Sequence, residues 1–182
     1  MKWLKDEDFI RDKVPMTKEN IRFITIGHLD LFDGCRFLDI GSGTGSISIQ
    51  AALLGAKVTA IEQKELGISL LEENAKKHGV IVESVLGKVP QVLPDQVFDR
   101  VFIGGSSGAL LAIFEYLEEA LVKDGILVAN FITLKNTWEM ATLLEEFEYK
   151  DIEIHLIQCS KMDKLGLMRG ENPIYILKGV KG

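Results

Sequence analysis

The residues best suited to chemistry lie in one short run, Asp39-Ile40-Gly41-Ser42-Gly43-Thr44-Gly45. A carboxylate closes an apolar stretch, and glycines follow at alternate positions. Gly41, Gly43 and Gly45 allow a sharp turn and close backbone approach, and a helix beginning near Ser46 would offer unpaired N–H groups to a ligand. Such a turn can also be a plain tight connection, and Asp39 can equally order the loop or cap the helix. A second acid sharpens the picture. Glu62 ends the next expected strand, about 20 residues on, where a carboxylate can accept both hydroxyls of a ribose. Together these features imply a small nucleotide-like ligand at the carboxyl end of the first strand.

Two ligand classes fit that pair. A dinucleotide fingerprint counted from Gly41 needs Gly or Ala where this chain has Ser46, which disfavours an NAD-type domain. The acid-x-Gly-x-Gly-x-Gly pattern from Asp39 to Gly45 instead resembles the S-adenosylmethionine motif of methyltransferases. A phosphate-binding P-loop is disfavoured because no Gly-Lys-Ser or Gly-Lys-Thr follows the glycines. Cys35 and Cys159 are far apart, and His28, His78 and His155 are equally scattered. Without metal-ligand spacing among them, the sequence predicts buried free thiols and no metal. No side chain declares itself as catalytic.

These residues need a scaffold, and the chain alternates β-branched runs with amphipathic helical stretches, the pattern of a mostly parallel sheet covered by helices. Strands are predicted at 36–40, 57–62, 81–86, 98–103 and 126–132. Between and after them, apolar stripes mark core-facing helices: Ile47, Ala51 and Leu54; Leu110, Ile113, Phe114, Leu117 and Leu121; and Leu134, Trp138, Ala141 and Leu144. Two further strands, 149–159 and 173–178, have no helix between them and suggest an antiparallel hairpin that closes the sheet. The expected fold class is α/β, a Rossmann-like sheet with helices on both faces. Five parallel strands followed by an antiparallel pair resembles the seven-stranded methyltransferase fold. Thr17 looks like the N-cap of a helix starting at Lys18.

The 182 residues fit one domain, with residues 1–33 as an N-terminal arm and helix. Apolar residues make up 47% and charged residues 26%, and no apolar run approaches the ~20 residues of a membrane span. The start, from Met1 to Asp8, turns acidic where a secretory signal would be apolar, so the expected compartment is the cytoplasm. A formal charge of −6 disfavours a surface built to wrap nucleic acid.

The fourth strand runs into Gly104-Gly105-Ser106-Ser107-Gly108. Methyltransferases of base amines resemble one another in an Asn/Asp-Pro-Pro-aromatic tetrad at this place, and it is missing here. Asn172-Pro173-Ile174-Tyr175 imitates it only on the final strand, where a structural role is the simpler expectation. Taken in order, Val14-Pro15-Met16-Thr17-Lys18, the glycine loop, Phe102 to Ser106, Leu127 to Asn130 with Thr133-Leu134, and Glu171-Asn172-Pro173-Ile174 resemble the decarboxylating cobalt-precorrin-6B C15-methyltransferase family of anaerobic cobalamin biosynthesis. The resemblance covers nearly the whole chain.

It implies methyl transfer from S-adenosylmethionine to C15 of a tetrapyrrole, with loss of CO₂ from the ring C acetate, by a homotetramer. It further implies that Gly41, Ser42, Gly43, Thr44 and Gly45 line the methionine part of the cofactor, that Asp39 and Thr17 belong to the same site, and that Glu62 holds the ribose. Lys88 and Val89 would flank the adenine. Many relatives carry Asp at the position of Lys88, and a lysine cannot accept from the adenine amino group. That leaves the local backbone. Gly104, Gly105, Ser106, Asn130 and Thr133 would face the substrate. Lys18, Arg22, Lys135, Lys161, Lys164 and Arg169 are candidate cations for its carboxylates. The segment from Ser160 to Gly170 departs from the family in carrying lysines and methionines where arginines and glycines are common. The competing expectation is a tRNA or protein methyltransferase of the same fold.

Overall fold

A computed structural model of the chain describes residues 3–182. The apolar runs form β1 (Arg36–Ile40), β2 (Lys57–Glu62), β3 (Val82–Leu86), β4 (Phe98–Ile103) and β5 (Leu121–Phe131). These match the expected strands closely except at β5, which starts at Leu121 rather than position 126. Leu121 pairs with Phe98 before a register shift, and Asp124 there adopts a positive φ of 60°. The polar turn signal at Lys123-Asp124-Gly125 hides this first pairing.

After β5 come β6 (Lys150–Ile157) and β9 (Ile174–Val180), with β7 (Ser160–Met162) and β8 (Met168–Gly170) between them. Seven strands form one sheet in the order β3-β2-β1-β4-β5-β9-β6. β1 to β5 pair in parallel, while β9 is antiparallel to both β5 and β6. The expected closing hairpin is therefore present, but its last strand is inserted inside the sheet and β6 takes the edge. The link expected to be a loop folds on itself as a two-stranded arm, β7 against β8. Its turn is held by Asp163, whose Oδ1 accepts from the Leu165 and Leu167 amides at 2.9 Å each and whose Oδ2 accepts from Arg169 Nε at 2.9 Å.

Helices cover both faces. On one side α1 (Glu19–Leu29), α2 (Ser46–Leu53) and α3 (Glu65–His78) bury Ile21, Ile26, Leu29, Ile47, Ala51 and Leu71. On the other, α4 (Leu110–Ala120) and α5 (Leu134–Glu146) bury Ile113, Phe114, Leu117, Met140, Leu143 and Leu144. The stripe expected on α5 is corrected: Leu134 and Trp138 are 71% and 77% exposed, and Thr137, Met140, Leu143 and Leu144 face the core. Thr133 caps α5 directly after β5, so the strand's exit sets the helix's rotation and turns the buried face about one residue from the most apolar stripe.

Thr17 is not the N-cap of α1. Lys18 takes that place without a side-chain bond, and the Glu19 amide is instead accepted by Asp6 Oδ1 at 2.8 Å. A carboxylate from the folded-back arm thus meets the positive end of the helix.

Candidate active site

A cleft of about 800 Å³ opens at the carboxyl ends of β1, β2, β4 and β5. Thr17, Asp39, Gly41, Ser42, Gly43, Glu62, Lys88, Val89, Gly104, Gly105, Ser106 and Asn130 all lie on its wall. Three other expected residues lie off it. Thr44 is buried with its carbonyl accepting from Asn74 Nδ2, Gly45 is the N-cap of α2, and Thr133 caps α5.

Gly41, Gly43 and Gly45 have φ of 77°, 55° and 78°, the left-handed region that favours glycine. A Cβ on Gly41 would meet the Gly105 backbone at 2.7 Å, one on Gly43 the Pro15 carbonyl at 3.0 Å, and one on Gly45 the Leu71 side chain at 2.8 Å. The glycines therefore bring loop against loop, arm and helix. Gly105, by contrast, has nothing within 4 Å of the position a Cβ would take.

Glu62 ties the ends of β1 and β2 together. Its Oε2 accepts from the Gly43 amide at 3.0 Å and its Oε1 from the Lys64 amide at 2.9 Å. Gly67 crowds its side chain from behind, since a Cβ there would lie 2.5 Å from Glu62 Cγ. Asp39 is fully buried one loop away. Its Oδ2 accepts from Ser48 Oγ and the Ser48 backbone also bonds to the carboxylate, which anchors the first turn of α2. Burial raises the Asp39 pKa to about 7; Glu62 adds to the rise and the Ser48 bonds oppose it. Among the described residues, Asp39 Oδ1 and Ser42 Oγ are buried side-chain atoms on this wall with no hydrogen-bond partner.

The N-terminal arm forms the lid of the cleft through Val14, Pro15, Met16 and Thr17. Arg22 of α1 holds it down from a fully buried position. Its Nη1 donates to the Thr17 carbonyl at 2.9 Å and its Nη2 to the Leu4 carbonyl at 2.6 Å, while the guanidinium stacks 4.7 Å from the Phe9 ring centre. Asn74 of α3 clamps Ile10 by both its backbone groups. Arg22 is therefore corrected from a cation for substrate to a support of the arm. Arg169 and Lys161 are drawn to Asp163 and Asp6, and of the six candidate cations only Lys18 reaches the cleft wall.

The wall opposite the glycine loop includes Asn130, whose Nδ2 donates to Thr25 Oγ1 at 2.8 Å and whose Oδ1 is buried without a partner. Cys159, Glu171, Asn172 and Ile174 complete it. Of the stretch 172–175, expected to be structural, Asn172 and Ile174 lie on this wall. The available signal was strand direction: a strand antiparallel to β5 starts where β5 ends, so residues entering β9 must sit at the ligand edge.

Residues 7–178 match the family model described as a precorrin methyltransferase domain. A Salmonella typhimurium protein named cobalt-precorrin-6B C(15)-methyltransferase (decarboxylating) is 33% identical, over 96% of this chain and 94% of its own. A Sulfolobus acidocaldarius relative is 36% identical, over 98% of this chain and 97% of its own. The crystal structure of a precorrin-6y C5,15-methyltransferase from Geobacter metallireducens superposes with a TM-score of 0.93 at 30% identity, covering 99% of this chain and 97% of that one.

Proposed function

The chain belongs to the precorrin methyltransferase family, and from that premise we propose that it transfers a methyl group from S-adenosylmethionine to C15 of cobalt-precorrin-6B with loss of CO₂ from the ring C acetate. The observation that carries this is one cleft lined by the glycine loop and Glu62, with the open rim at Gly104 and Gly105 beside that loop and Asn130 and Asn172 on the wall across from it.

The residues suit the cofactor. Each Glu62 oxygen engages a single backbone N–H, so lone pairs remain for two ribose hydroxyls. Asp39 Oδ1, buried and without a protein partner, is matched to a cationic group. When bound, S-adenosylmethionine supplies an electrophilic methyl group on its sulfonium sulfur. Val89 is buried and Lys88 exposed at the end of β3, which suits an apolar side chain beneath the adenine with backbone groups beside it.

No strong base is assigned among the side chains of the cleft. A conjugated macrocycle can serve as carbon nucleophile and as electron sink for decarboxylation, so the chain's contribution is alignment and exclusion of water. Open space over Gly105 admits a flat ring, and the arm held by Arg22 covers the glycine loop at Pro15. Lys18 and Lys88 on the wall offer attraction to substrate carboxylates within a net acidic protein.

We also propose a homo-oligomer, a tetramer by family resemblance, in the cytoplasm. Ile152, Ile154 and Leu156 are exposed along one face of edge strand β6, and the arm exposes Met162, Leu165, Leu167 and Met168. Both cysteines are free, as suits a reducing compartment, and no helix among the described residues is long and apolar enough to cross a membrane.

The test is product mass. Incubation with cobalt-precorrin-6B and S-adenosylmethionine should yield a tetrapyrrole that has gained one methyl group and lost one CO₂. Methyl gain with the carboxylate retained overturns decarboxylation, and no gain overturns the acceptor.

A further inference from the structure

Away from the cleft, the last turn of α1 meets the sheet edge, and three metal-ligating side chains converge there. His28 comes from α1; Glu153 and His155, two apart on β6, share one face of that strand. His155 Nε2 lies 3.1 Å from Glu153 Oε2, and His28 Nδ1 lies 4.0 Å from the same oxygen. One ligand atom from each residue falls within 4.8 Å of the others. The two imidazole rings stand 4.8 Å apart between centres at 31°.

We propose that His28, Glu153 and His155 form a binding site for a divalent transition-metal ion of the zinc type, independent of the methyl-transfer reaction. Two imidazoles and a carboxylate suit zinc, cobalt or nickel, and not the oxygen-seeking calcium or magnesium. Tetrahedral bonds of roughly 2.0–2.1 Å put ligand atoms about 3.3 Å apart. The His155–Glu153 pair is already near that spacing, and drawing His28 in from a cluster that spans up to 4.8 Å takes up to about 1.5 Å, within the reach of its side-chain torsions. With the side chains of His155 and Glu153 41% and 40% exposed, solvent reaches the fourth position.

The charged neighbour is Lys178 of β9, whose Nζ donates to Glu153 Oε1 at 2.8 Å. It engages the oxygen turned away from the histidines, and its positive charge beside the site weakens the ion's hold. A bound ion would staple α1, whose first turn lines the cleft, to β6, which leads to Cys159 on the opposite wall.

Metal-free protein is titrated with zinc chloride against a chromophoric chelator, and with cobalt chloride by visible absorption. One ion per chain is expected, with the band intensity of a tetrahedral cobalt site. His28→Ala and His155→Ala should each bind more than about tenfold more weakly. Lys178→Met should bind more tightly than the parent, a gain that a disrupted fold could not produce. The same zinc uptake by the parent and the double histidine variant, or no uptake by the parent, overturns the site.

Discussion

Glu62 has two duties, holding the Gly43 and Lys64 amides and, as proposed, the ribose. Glu62→Ala should weaken S-adenosylhomocysteine binding by about 1–3 kcal/mol, measured by calorimetry where circular dichroism shows the variant folded. Unchanged affinity removes the ribose role. Asp39 makes stability depend on pH. With its folded pKa near 7 against an unfolded value of about 3.9, the folded chain keeps a proton that the unfolded chain has released. Stability from this group is therefore greatest below about pH 4 and falls as pH rises through the folded value. Between about pH 5 and pH 8 the urea midpoint of the parent should drop relative to that of Asp39→Asn. Parallel profiles would show that Asp39 titrates normally. Both acids were visible in the sequence because each lies at the carboxyl end of a strand, Asp39 next to last in β1 and Glu62 last in β2, one crossover apart. The bond from Ser48 to Asp39 was not, since it depends on how α2 is seated over β1.

Among the elements, the N-terminal arm has the least regular structure and the most specific attachment. Arg22→Met keeps much of the side-chain bulk against Phe9 but leaves the Leu4 and Thr17 carbonyls without their donor. A loss on the order of 3 kcal/mol is expected by urea unfolding. Hydrogen exchange should show selective loss of protection in residues 4–18, together with weaker S-adenosylhomocysteine binding. Uniform protection in both proteins would show that Asn74 suffices to hold the arm. Strand positions were legible because buried parallel strands read as short apolar runs. The phase of α5 was not: its apolar stripe through Leu134 and Trp138 competes with the rotation imposed by the Thr133 cap, and the cap prevails.

At the scale of the molecule, edge strand β6 and the β7–β8 arm each group several exposed apolar side chains on a net acidic protein. Light scattering after gel filtration should show an assembly, and the double variant Ile154→Lys, Leu165→Asp should run as a smaller species with unchanged circular dichroism. A monomeric parent overturns the assembly. The acid, the alternate glycines and the strand-ending Glu62 are related by single crossovers whose lengths are set by local strand and helix geometry, so the cofactor end could be read from spacing. Family motifs in order carried the acceptor further than composition could. Contacts that depend on strand order have no such local period. Inserting β9 between β5 and β6 brings Glu171 and Asn172 to the cleft and moves β6 to the edge. His155 then meets His28 where the sequence had shown only scattered histidines, because folding and not spacing made them neighbours.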